Sequence, residues 1–164
     1  MKKISYLIVL FTLLLGIVSC TGYKPIFSSS GLKFEIASYS TEGEKKIGNQ
    51  IISKLKNLSK INKNNPDAQS IDVYISTLKT KNSTVKNTAG KILEYKITIN
   101  STIKVKDYLT EKVIFEKNFY SFSSYRVQDE YSETKKLENK TIENLINKIY
   151  QDLLIKMSET INPK

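Results

Sequence analysis

The sequence predicts an α+β fold, two helices packed on one face of a four-stranded sheet, and three observations carry that expectation. Residues 93–106 alternate without a break. Leu93, Tyr95, Ile97, Ile99, Ser101, Ile103 and Val105 fall on one side, and Glu94, Lys96, Thr98, Asn100, Thr102, Lys104 and Lys106 on the other. Such a strand would run about 45 Å, longer than usual. From Ser132 to Ile161 there is neither glycine nor proline, and Leu137, Ile142, Leu145, Ile146, Ile149, Tyr150, Leu153 and Met157 recur at three and four residues, the stripe of a long amphipathic helix. The elements follow the order strand, helix, three strands, helix, which lets two helices cover one face of a sheet and leaves its lysine-bearing face wet.

The elements come after a leader. Met1-Lys2-Lys3, an apolar run from Ile4 and Gly16-Ile17-Val18-Ser19-Cys20 have the form of a secretory signal over residues 1–19. A cysteine directly behind the cut is the bacterial lipoprotein pattern, so Cys20 is expected to be acylated and to start the mature chain. Ile4–Val18 is 15 residues, short of the roughly 20 that cross a bilayer. Residues 20–31, with Gly22, Pro25, Gly31 and Ser28–Ser30, read as a lipidated tether, and 32–164 as one α+β domain.

Within that domain Leu32–Ile36 alternates as a half-buried strand. Thr41-Glu42-Gly43-Glu44 has capping-box spacing ahead of Ile47, Ile51, Leu55 and Leu58, which predicts a helix over about 42–60. Asn64-Asn65-Pro66-Asp67 is a turn. Ile71, Val73 and Ile75 mark the second strand; Lys79–Lys91 reads as a polar connection turning at Ala89-Gly90. The fourth strand, over about 112–122, holds Val113, Phe115, Phe119 and Phe122 in an imperfect alternation that calls for a bulge.

Composition narrows the function classes. The net charge is +10, with Arg126 the one arginine among 26 basic residues. An excess of lysine attracts anions, and outside the inner membrane those are lipid headgroups and phosphorylated glycolipids rather than nucleic acid. There is no histidine, which removes the commonest general base and metal ligand. The single cysteine leaves neither a disulfide nor a thiol nucleophile. No nucleophile elbow or phosphate-binding glycine loop occurs. Carboxylate pairs such as Asp129/Glu130 and Glu133/Glu138 read as solvated faces. A non-enzyme without cofactor or metal is expected. Tyr125 and Tyr131, flanking Arg126 before the last helix, have the amphipathic character that partner interfaces favour.

Four segments resemble one family, the LPS-assembly lipoprotein LptE, partner of the outer-membrane barrel LptD. Cys20-Thr21-Gly22-Tyr23-Lys24-Pro25 is similar to its Cys-Gly-aromatic opening with Thr21 inserted. Leu93-Glu94-Tyr95 through Asn100-Ser101-Thr102 resembles its Ala-Glu-Tyr strand ending in Asn-Ala/Ser-Thr. Ser124-Tyr125-Arg126-Val127 and Tyr131 resemble its Tyr-x-Val…Tyr segment, and the charged, tyrosine-bearing last helix completes the likeness. The resemblance implies two helices on a four-stranded sheet, seated as a plug inside the barrel, helping it assemble and helping deliver lipopolysaccharide to the surface. It implies basic lipopolysaccharide-binding residues in the loop between strands two and three and at the start of the last helix. The nearest positions here are Lys86, Lys91, Lys135 and Lys136, and a family arginine is not reproduced. Thr21, not being aspartate, is compatible with sorting to the outer membrane.

Overall fold

The computed structural model describes residues 32–60 and 65–161; the expected signal peptide, Cys20 and the tether lie outside them. The architecture matches the expected class: β1 (Phe34–Gly43), α1 (Lys45–Ser59), β2 (Gln69–Lys86), β3 (Ile92–Asp107), β4 (Val113–Arg126) and α2 (Tyr131–Thr160). The sheet order is β1-β2-β3-β4, with β1 parallel to β2 and the other neighbours antiparallel.

Both helices cover the face whose alternating apolar residues need burial. Ile71, Val73 and Ile75 of β2 and Ile97, Ile99, Ile103 and Val105 of β3 pack with Ile51 and Leu55 of α1 and Ile146, Ile149, Leu153 and Met157 of α2 in one core. The opposite face carries Lys96, Lys104 and Lys106, as expected. It is not uniformly polar: Leu78, Tyr120 and Phe122 are exposed there, on strands paired through Asn100 and Thr98. The ammonium of Lys96 sits 4.2 Å from the centre of the Phe122 ring.

Three local expectations need correction. The capping box does not form, because Thr41 and Glu42 still belong to β1. Thr41 donates to Asn49 Oδ1, and Glu42 accepts from the Tyr74 hydroxyl. The chain turns only at Gly43, whose φ of +69° and whose closeness to the Thr77 carbonyl (a Cβ would lie 2.1 Å from that oxygen) leave no room for a side chain. α1 then begins at Lys45 with no side-chain cap. Second, β1 runs on past Ile36, because a bulge at Ala37 shifts its register on β2 and backbone pairing continues without apolar alternation.

Third, most of the expected polar connection is strand. Residues 79–86 pair with β3 as far as Lys86↔Ile92, and only Asn87–Gly90 turns. The polar composition reflects position: β1 stops opposite Thr77, so this half of the hairpin projects beyond it. The turn at Ala89-Gly90 is where the sequence puts it; β4 carries a bulge at Ile114, while its pairing is regular across Phe119–Phe122, where the alternation breaks. Phe119 is buried and Phe122 lies on the sheet surface.

Candidate functional site

The projecting half of the hairpin meets the first turns of α2, and the side chains that converge there follow from strand alternation. Thr77, Lys79 and Lys81 continue by twos the row begun by Ile71, Val73 and Ile75, so Lys81 points to the helix side of the sheet. Its ammonium lies 4.3 Å from the centre of the Tyr95 ring and 5.5 Å from that of Tyr125. These two cross-strand rings stack at 5.9 Å. From α2, Glu138 closes the group. One carboxylate oxygen accepts from Lys81 at 2.8 Å and from the Tyr125 hydroxyl at 3.1 Å, while the other is 3.2 Å from Lys135.

The electrostatics follow. Burial of Glu138 opposes its charge, but the hydrogen bonds from Lys81, Lys135 and Tyr125 outweigh burial and hold its pKa below the usual carboxylate range. Burial likewise opposes the charge on Lys81, and Glu138 and Tyr125 outweigh it, raising the ammonium. Tyr125 is pushed up by burial first and by the Glu138 charge, against Lys81. The group is a charged contact joining the sheet to the helix. The start of α2 is fixed independently: Thr134 Oγ1 accepts from Gln128 N at 2.8 Å, and Thr134 N donates to the Glu130 carbonyl at 3.1 Å.

Against this wall lies a hollow of about 440 Å³ whose lining includes Lys81, Lys91, Tyr95, Tyr131, Lys135 and Glu138. Two of the four candidate lysines, Lys91 and Lys135, thus meet on one concavity with Tyr131. Lys136 joins Tyr131 and Lys135 on the adjoining surface. Lys86 does not reach the hollow; it ends β2, exposed, opposite Ile92. Tyr125 is held inside, 6% exposed, whereas Arg126 and Tyr131 are exposed, the latter 81%. Lys81, Tyr95 and Glu138 are the members that reasoning from sequence missed. No apolar alternation marks Lys81, because Leu78 breaks the phase set by Ile71, Val73 and Ile75.

What this arrangement can do is bind. Lys91 and Lys135 line the hollow beside aromatic rings, a combination that suits a phosphorylated, partly apolar ligand, and Lys136 lies on the adjoining surface. Among the described residues no group of three acidic or cysteine side chains could hold a metal ion.

No protein-family model matches the chain, and no curated protein matches it significantly. Solved structures do. Lipoprotein B from Nitrosomonas europaea superposes with a TM-score of 0.61 at 13% identity, over 87% of this chain and 94% of that one. A Caulobacter crescentus structure described as a lipoprotein gives 0.55 at 13%, over 79% and 91%. Rare lipoprotein B from Shewanella oneidensis gives 0.51 at 12%, over 76% and 97%. At these identities the likeness is one of fold.

Proposed function

We propose that this chain is a non-enzymatic lipoprotein of the outer membrane, anchored through Cys20 on the periplasmic side. In this reading it plugs an LptD-like β-barrel, helps it assemble and takes part in passing lipopolysaccharide to the cell surface. The observation that carries this reading is the gathering of Lys91, Lys135 and Tyr131 on one hollow at the projecting end of the hairpin. The resemblance to LptE implies lipopolysaccharide contacts at that end. Further support comes from the fold shared with three bacterial lipoproteins. The open sheet face adds to it: Leu78, Tyr120 and Phe122 are exposed together, and both sheet edges, β1 and β4, lack a neighbouring strand among the described residues. Such faces and edges are normally covered, and a barrel wall would cover them. The lysines of the hollow would then meet the phosphates of lipid A and the inner core.

The test is an affinity pull-down of the tagged, lipidated protein from mildly solubilised envelope. Co-purification of a large β-barrel at one to one supports the plug; recovery of the chain alone refutes it.

One observation favours a second reading, a lipid-binding accessory subunit of another envelope transporter. A hollow of about 710 Å³ lies between α1 and α2, with Ile47, Ile142 and Ile146 at its base and Lys46, Lys54 and Lys79 around it. Its lining also includes Glu44, Glu138 and Glu143, so it suits a lipid chain less well than a dry pocket would. Inner-membrane transporter subunits in the same pull-down would favour it.

A further inference from the structure

The end of the sheet opposite the hairpin tip carries the turn between β3 and β4, and that turn is built to hold apolar side chains outward. Leu109 is 83% exposed, with Tyr108 and Val113 about half exposed beside it. A single exposed leucine is ordinary; three neighbours on a braced turn are not. Asp107 Oδ1 accepts from Leu109 N at 3.2 Å and from both the backbone and the hydroxyl of Thr110 at 2.8 Å, while its Oδ2 accepts from Gln69 Nε2 at 2.8 Å. Tyr108 N donates to the Ser70 carbonyl, and Asp107 N to that of Lys112. Glu111 takes a left-handed φ of 55°, completing the reversal. The turn is therefore fixed with Leu109 at its apex, and Lys106 and Lys112 flank it in sequence.

The chain enters the fold at the same end. Gln69, which braces Asp107 through its side chain, donates its backbone N–H to the Lys33 carbonyl at 3.0 Å. From Cys20 to Leu32 is 12 residues, a reach of at most about 43 Å. A lipid on Cys20 therefore attaches at this end of the sheet and holds it within about 43 Å of the bilayer.

From these observations we infer that the β3–β4 turn is a membrane-contact element: Leu109, with Tyr108 and Val113, inserts into the headgroup region of the phospholipid leaflet that holds the anchor, and Lys106 and Lys112 meet its phosphates. The inference rests on the Cys20 anchor of the proposed function. Tyrosine is at home at the interface, lysine stems reach anionic headgroups, and the braced turn loses little conformational freedom on insertion. The hairpin tip, with its phosphate-directed lysines, then points away from that leaflet.

The experiment uses the full lipidated chain carrying Leu109→Cys, in which the acylated Cys20 leaves the introduced thiol free for an environment-sensitive fluorophore. A second chain carries Thr88→Cys at the opposite turn. Each is incorporated into vesicles of phosphatidylethanolamine and phosphatidylglycerol containing a brominated lipid as quencher. The expected result is a blue-shifted emission at position 109, quenched several-fold more strongly than at position 88. Equal quenching at the two positions in chains that float with the vesicles overturns the inference and leaves the anchor standing. Chains that fail to float overturn the anchor and the inference together.

Discussion

The two halves of the β2–β3 hairpin share one backbone ladder and differ in almost everything else. In the lower half, Val73 and Ile75 face Val105 and Ile103 across the strands, and with Ile71 they are roofed by α1 and α2 and fully buried. In the upper half, beyond the end of β1 opposite Thr77, the same row continues as Lys79 and Lys81, whose contacts are ion pairs to Glu44 and Glu138 and two aromatic rings. Both halves are antiparallel, and the register shifts only in the upper one, between Ser83 and Lys86. The comparison teaches that the ladder sets the length of the hairpin while side-chain burial decides which half stabilises the fold, leaving the other free to carry ligand and partner chemistry.

The most forceful way to break this division is to cut the lower half. Ile103→Ala, which empties a fully buried position, is expected to cost about 2–5 kcal/mol in denaturant unfolding. Thr80→Ala, exposed in the upper half, should stay within about 0.5 kcal/mol. Comparable losses at both would end the distinction.

The contact between the upper half and α2 should respond next. Glu138→Gln leaves Lys81 without its charged partner and is expected to cost about 1–3 kcal/mol. Its pH signature is specific. The Glu138 pKa is lowered, so its contribution is complete above the ordinary value of 4.5 and fades as pH falls through the lowered one. Lys81 is raised, so its share is complete below 10.5 and fades as pH rises through the raised value. A stability profile of Glu138→Gln that keeps the wild-type acid limb would show that other carboxylates govern it.

Replacing Lys91 and Lys135 together by alanine sharpens the comparison from the functional side. Binding of a phosphorylated glycolipid, followed by titration calorimetry, should weaken by about tenfold, or about 1.4 kcal/mol, while stability changes by at most about 1 kcal/mol. The smallest expected effect is at the far turn. Asp107 is held at about 2, chiefly by the Gln69 side chain and then by Thr110, so its contribution is complete above 3.8 and fades as pH falls toward 2. Asp107→Asn should remove that portion of the acid limb, as read by thermal unfolding at pH 3 and pH 6, two values chosen as roughly bracketing the ordinary carboxylate range.

Legibility in the sequence followed the same division. Strand β3 and helix α2 were readable almost residue by residue, because each buries a periodic apolar stripe. The upper part of β2 was not, since Lys79–Lys86 pairs through its backbone and buries little; composition alone reads as a loop. The capping box at Thr41 failed for the same reason, as β1 continues on hydrogen bonds that leave no hydrophobic trace. Of the candidate site, Lys91, Lys135 and Tyr131 were accessible because they lie beside turns and a helix start. Glu138 was not: its pairing with Lys81, 57 residues away, is a product of the fold.

The plug reading is tested most directly by photocrosslinking in intact cells, with a photoreactive residue at Tyr131, in the upper half, and another at Lys148, on the surface of α2. The reading requires an adduct with a large outer-membrane β-barrel from position 131, formed in the mature, surface-competent envelope. Adducts with inner-membrane transporter subunits only, or none at either position, would contradict it.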